Sequence, residues 1–67
     1  MDDHVAFRVQ AIVRRGTAAS VPDTWERHAR VEDARQAARS SYRDDRVQAA
    51  LIVTDEVPPR FVEWVDR

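Results

Sequence analysis

The residues best spaced for chemistry in this sequence are arginines. Arg35, Arg39 and Arg43 recur at i, i+4 and i+8, which on a helix makes one straight ridge of guanidinium groups. Arg46 extends the ridge. Guanidinium forks grip phosphate oxygens in bidentate fashion, and Trp25 or Tyr42 is available to stack a base. The pattern therefore supports a weak nucleic-acid binder as one function class, or a dock for an acidic protein partner. Against nucleic acid stand 11 Lys+Arg set off by 12 Asp+Glu, a net charge of −1, since such affinity draws on unbalanced positive charge. The paired aromatics of an RNP-type motif are also missing. A solvated charged helix face is the plainer expectation.

The other reactive residue types form no constellation. His4 and His28 are the only histidines. His4 stands beside Asp2 and Asp3, and His28 lies between Glu26 and Arg30, with no HxH, HxxH or HExxH spacing to converge on a metal. Ser20, Ser40 and Ser41 lie outside any Gly-x-Ser-x-Gly elbow, and the single glycine, Gly16, excludes that elbow, a P-loop and a dinucleotide fingerprint together. The absence of cysteine removes disulfides, thiolate zinc sites and thiol nucleophiles. Asp44-Asp45 and Asp55-Glu56 are paired carboxylates, yet each pair follows a predicted element, where turn chemistry explains it. Val57-Pro58-Pro59-Arg60 lacks PxxP spacing and reads as a loop. Little room remains in 67 residues to wall off a dry pocket. The expectation is a non-enzyme with no metal and no cofactor.

The elements that must position these residues follow from periodicity. Residues 4–14 alternate with period two, Val5, Phe7, Val9, Ala11 and Val13 against Ala6, Arg8, Gln10, Ile12 and Arg14, the pattern of a half-buried strand. Gly16 supplies the turn that ends it. Residues 17–23 read as loop. Residues 24–29 are ambiguous: Trp25, Arg27 and Ala29 share a strand face, while Asp23 and Glu26 have capping-box spacing. A strand is preferred, because it closes a hairpin onto the first. Residues 31–43 predict a helix, with Ala34, Ala37, Ala38, Ser41 and Tyr42 on one stripe. Glu32 and Asp33 open it and Arg39 and Arg43 close it, as the helix dipole favours. Its stripe is mostly alanine, so it should lie close to whatever it covers. Residues 46–54 predict a strand, with Val47, Ala49, Leu51 and Val53 on one face and Gln48, Ala50, Ile52 and Thr54 on the other. Consecutive prolines then force a loop, and residues 60–66 resume as a strand, with Phe61, Glu63 and Val65 opposite Val62 and Trp64.

The assembly expected is α+β: a ββαββ single domain over residues 1–67, its four-stranded antiparallel sheet in order 2-1-3-4 with one α-helix packed on one face. One helix covers one face only. Val5, Phe7, Val9, Val47, Leu51 and Val53 are assigned to the helix side, and Ile12, Ala50, Ile52, Val62 and Trp64 to the open side, with Trp25 joining them if its segment is a strand. Arg8, Gln10, Arg14 and Gln48 break that open face, and mixed faces of this kind mark partner surfaces. The alternative turns Trp64 under the helix. A core of this size supplies about 3–5 kcal/mol, so self-association is the natural aid, and most soluble oligomers are two-fold. The preferred function is thus a non-catalytic protein-interaction module that homodimerises through Ile12, Ile52, Val62 and Trp64. The alternative is the nucleic-acid ridge of Arg35, Arg39, Arg43 and Arg46. With no apolar run long enough for a bilayer and an acidic Met1-Asp2-Asp3-His4 start unlike a secretory signal, the expected address is cytoplasmic. All eleven basic residues are Arg, which fits the codon bias of a GC-rich bacterial genome.

Overall fold

The computed structural model of the chain describes residues 5–13 and 26–67. Four elements follow one another: β1 (Phe7–Val13), α1 (Val31–Ser41), β2 (Val47–Thr54) and β3 (Phe61–Val65). The strands form one antiparallel sheet in the order β1-β2-β3, with β2 central. This corrects the expected four-stranded sheet of order 2-1-3-4. The part of the 24–29 segment that is described contributes one bridge rather than a strand. His28 donates its N–H to the Phe7 carbonyl at 2.8 Å and accepts the Phe7 N–H at 2.7 Å. Ala29 and Arg30 then bend and α1 begins at Val31, so the chain leaves the sheet edge directly after His28. Thr24 and Trp25 lie outside the described residues, as do His4 and the turn expected at Gly16.

The helix packs through its small side chains. Ala34, Ala38 and Ser41 are fully buried and recur at i, i+4 and i+7, one stripe of a 3.6-residue period. Alanines let the helix axis approach the sheet closely. The core cluster joins Ala34 and Ala38 to Val9, Ala50, Ile52 and Val65, with Phe7, Val31, Ala37, Tyr42 and Val62 packed against it. The helix stops two residues short of the expected end. Tyr42 is its C-cap, and tight i→i+3 bonds from the N–H groups of Tyr42, Arg43 and Asp44 close the last turn.

Two irregularities in register set which side chains face the helix. Ile12 pairs with Ala49 but Val13 pairs with Val47, so Gln48 has no partner in the ladder. Ile52 pairs with Glu63 but Val53 pairs with Phe61, which leaves Val62 as the extra residue. Each such bulge moves the alternation by one place. As a result Val47, Ala50 and Ile52 all face the helix side, while Leu51 and Val53 point to the open side. The expected face assignment of this strand is therefore reversed at Ala50, Leu51, Ile52 and Val53.

Candidate functional site

The open face of the sheet is built in cross-strand rows. Arg8 pairs with Val53 and Val53 with Phe61, while Gln10 pairs with Leu51 and Leu51 with Trp64. Ile12 opposes Ala49 beyond them. The bulge at Val62 puts Phe61 and Trp64, three residues apart, on the same side. Their ring centroids lie 5.9 Å apart at 54°, a tilted aromatic pair. Trp64 is 56% exposed, Phe61 57% and Ile12 46%. Large apolar side chains left half in water on one face are a more informative observation than scattered exposed residues.

Beside this aromatic ridge runs a groove of about 530 Å³. Among the described residues its walls include Arg8, Gln10, Ile12, Val53, Asp55 and Val57. The loop that closes its end is anchored by Thr54, whose N–H bonds the Arg60 carbonyl at 2.9 Å and whose Oγ1 accepts the Arg60 N–H at 2.8 Å. Asp55 is held by its own N–H to the Ala6 carbonyl at 2.9 Å. Its carboxylate meets the Arg27 guanidinium at 2.7 Å and that of Arg8 at 3.7 Å. Val57 stands fully exposed at the loop tip.

Of the four residues expected on the contact face, the structure brings two to it. Ile12 and Trp64 lie on the open side. Ile52 is fully buried in the core under the helix, and Val62, turned inward by its bulge, is half-buried against that core. Sequence reading missed Phe61, Leu51 and Val53. No residue pattern announces a bulge, and β2 is apolar on both faces, so its alternation carries no phase.

The arginine ridge is divided by the fold. Arg35 forms a bidentate fork with Glu63 of β3, Nε to Oε2 at 3.0 Å and Nη2 to Oε1 at 2.9 Å. The hydrogen bonds from Arg35, and then its charge, hold the Glu63 carboxyl below its ordinary range and raise the guanidinium in turn. Arg46 donates its backbone N–H and side-chain Nε to Asp44 Oδ1, each at 2.9 Å. These hydrogen bonds, side-chain first, hold the Asp44 carboxyl down to about 2. Arg39 and Arg43 remain on the surface, and neither forms an ion pair among the described residues. Two of the four arginines of the expected ridge, Arg35 and Arg46, thus engage carboxylates of their own chain.

His28 Nε2 is a buried side-chain atom with no hydrogen-bond partner among the described residues. No group of three His, Asp or Glu residues is placed to hold a metal among the described residues. No helix described is long and apolar enough to cross a membrane. Compared with known proteins, the chain matches no family, no curated protein and no solved structure.

Proposed function

We propose that this chain is a non-catalytic interaction module that homodimerises through its open sheet face, with Ile12, Phe61 and Trp64 as the principal contacts. The observation that carries the reading is their common exposure: three large apolar side chains, each about half in water, on the one sheet face that α1 leaves uncovered. Among the described residues the one helix packs on one face of the three-stranded sheet, and a chain of 67 residues gains from covering the other.

Magnitude sets the strength of the association. At roughly 150–250 Å² for a whole aromatic side chain, the exposed parts of Phe61 and Trp64 give each protomer about 170–280 Å² of aromatic surface. A stable interface buries about 800 Å² per partner. Ile12, Leu51, Val57 and the stems of Arg8 and Gln10 supply more, and the total stays at the small end. The dimer should be reversible, in the micromolar range.

Sedimentation equilibrium from 10 μM to 1 mM tests this, on the order-of-magnitude window that such an affinity sets. The mass should rise from 7.7 kDa toward twice that value. Trp64→Ser should keep it at the monomer, with the fold checked by its NMR spectrum. A wild-type chain still monomeric at the top of that range would defeat the reading. A folded Trp64→Ser chain that dimerises normally would remove Trp64 from the contact.

A further inference from the structure

We infer that residues 26–30 form a strap that opens from the edge of the sheet while the rest of the fold stays closed, and that the His28 imidazole is what leaves it only lightly held. The inference stands apart from the homodimer reading and needs no partner.

Few groups hold the strap among the described residues. The His28 N–H donates to the Phe7 carbonyl at 2.8 Å and the Phe7 N–H to the His28 carbonyl at 2.7 Å, an isolated bridge rather than a ladder. Arg27 Nε meets the Asp55 carboxylate at 2.7 Å, but the Arg27 side chain is 72% exposed, and an ion pair in water is weak and screened by salt. Glu26, Arg27, Ala29 and Arg30 are all exposed, so only His28 is partly buried. The junction to α1 adds little. Arg30 is the N-cap and its side chain makes no capping hydrogen bond, where Ser, Thr, Asp or Asn would accept an N–H of the first turn.

Against these contacts stands His28 Nε2, which is buried with no hydrogen-bond partner among the described residues. A neutral imidazole presents one donor and one acceptor, so in either tautomer this nitrogen has given up water and gained nothing in return. A loss of that kind is as large as the net return of the two backbone hydrogen bonds of the bridge. Opening gives Nε2 back to water, together with the N–H and carbonyl of Phe7 at the outer edge of β1. The rest of the fold has its own supports. β1 stays paired with β2, α1 stays packed through Ala34 and Ala38, and Asp55 keeps Arg8 at 3.7 Å. Segments with few buried contacts are the ones that open locally, at a free energy well below that of global unfolding.

The test is native-state amide hydrogen exchange on the wild-type chain, at fixed pH and in urea below the unfolding transition. The Phe7 and His28 amides should exchange through an opening that urea barely changes, because little surface is exposed in it. The amides of the central strand β2 should exchange more slowly and accelerate steeply with urea. His28→Leu removes the orphaned nitrogen at similar size, and should slow the amides of Phe7 and of position 28 about tenfold. Asp55→Asn removes the partner of Arg27, and should speed them about threefold. Phe7 and His28 amides that share the urea dependence of β2 open only with the whole fold, and would overturn the strap without recourse to any variant. Unchanged or faster exchange in a folded His28→Leu chain would overturn the part given to the imidazole.

Discussion

Tyr42 is the side chain through which the end of the helix is tied to two strands. Its hydroxyl donates to the Val65 carbonyl at 2.6 Å and accepts the Ala50 N–H at 2.9 Å, while the Arg67 guanidinium lies 4.9 Å from its ring centroid. Tyr42→Phe leaves a largely buried N–H and carbonyl without their partner, so it should cost about 1–3 kcal/mol in a urea melt. The ring's place on the buried stripe was legible from spacing; the two hydroxyl contacts were not, because they join positions 8 and 23 residues away. Among the described residues, two carboxylates are held low and contribute to the pH dependence. Asp44 titrates at about 2 and Glu63 below its usual range, both under their unfolded values of about 3.9 and 4.3. The unfolded chain therefore takes up protons first as pH falls. Their stabilisation is whole above roughly pH 5 and drains between roughly pH 4 and 2. The side-chain carboxyl ¹³C shift of Asp44 should show a midpoint near 2 in the wild type. In Arg46→Ala that midpoint should move up toward about 3.9.

At the scale of elements, the helix was the most legible part of the chain. Its alanine stripe, acidic first turn and basic last turn all point one way, and local consistency of this kind specifies structure well. Ala38 lies fully buried against the sheet, so Ala38→Leu inserts a side chain where there is no space for it. The expected loss is about 1–3 kcal/mol, read as a lower urea midpoint. The strands were legible as strands but not in phase. Gln48 and Val62 are bulge residues, and one extra residue exchanges the two faces beyond it. The expected strand over residues 24–29 comes down to the His28–Phe7 bridge among the described residues. Alternation over six residues cannot reveal that α1 begins three residues after His28. The Arg35–Glu63 fork is the salt bridge between α1 and β3 among the described residues, beside the core contacts of Val65. Its bidentate geometry requires a guanidinium, so Arg35→Lys should lower the thermal midpoint, and Arg35→Ala should lower it further.

For the molecule as a whole, stability and association are one equilibrium. If the native chain dimerises through the open face and the unfolded chain does not, mass action makes the melting temperature rise with protein concentration. A measurable upward shift is expected over a hundredfold concentration range for the wild type and none for Trp64→Ser. Salt separates this from the nucleic-acid reading. Burial of Ile12, Phe61 and Trp64 is largely indifferent to ionic strength, whereas phosphate contacts by Arg39 and Arg43 would weaken steeply with it. Added oligonucleotide should therefore leave the spectrum of α1 unchanged at physiological salt.

The sequence by itself determined that this is a small α+β chain without cysteine chemistry or glycine-rich phosphate loops, where the helix lies, and which stretches are extended. Those properties are local: they depend on residue type and on spacing over a few positions. Tertiary structure alone decided which apolar residues are core and which are surface. Ile52 and Trp64 are both large and apolar, and both sit in strands, yet one is fully buried and the other stands 56% exposed. The physical reason is register. A single unpaired residue in a ladder turns every later side chain to the opposite face, and the energy that selects it comes from partners brought together from distant parts of the chain.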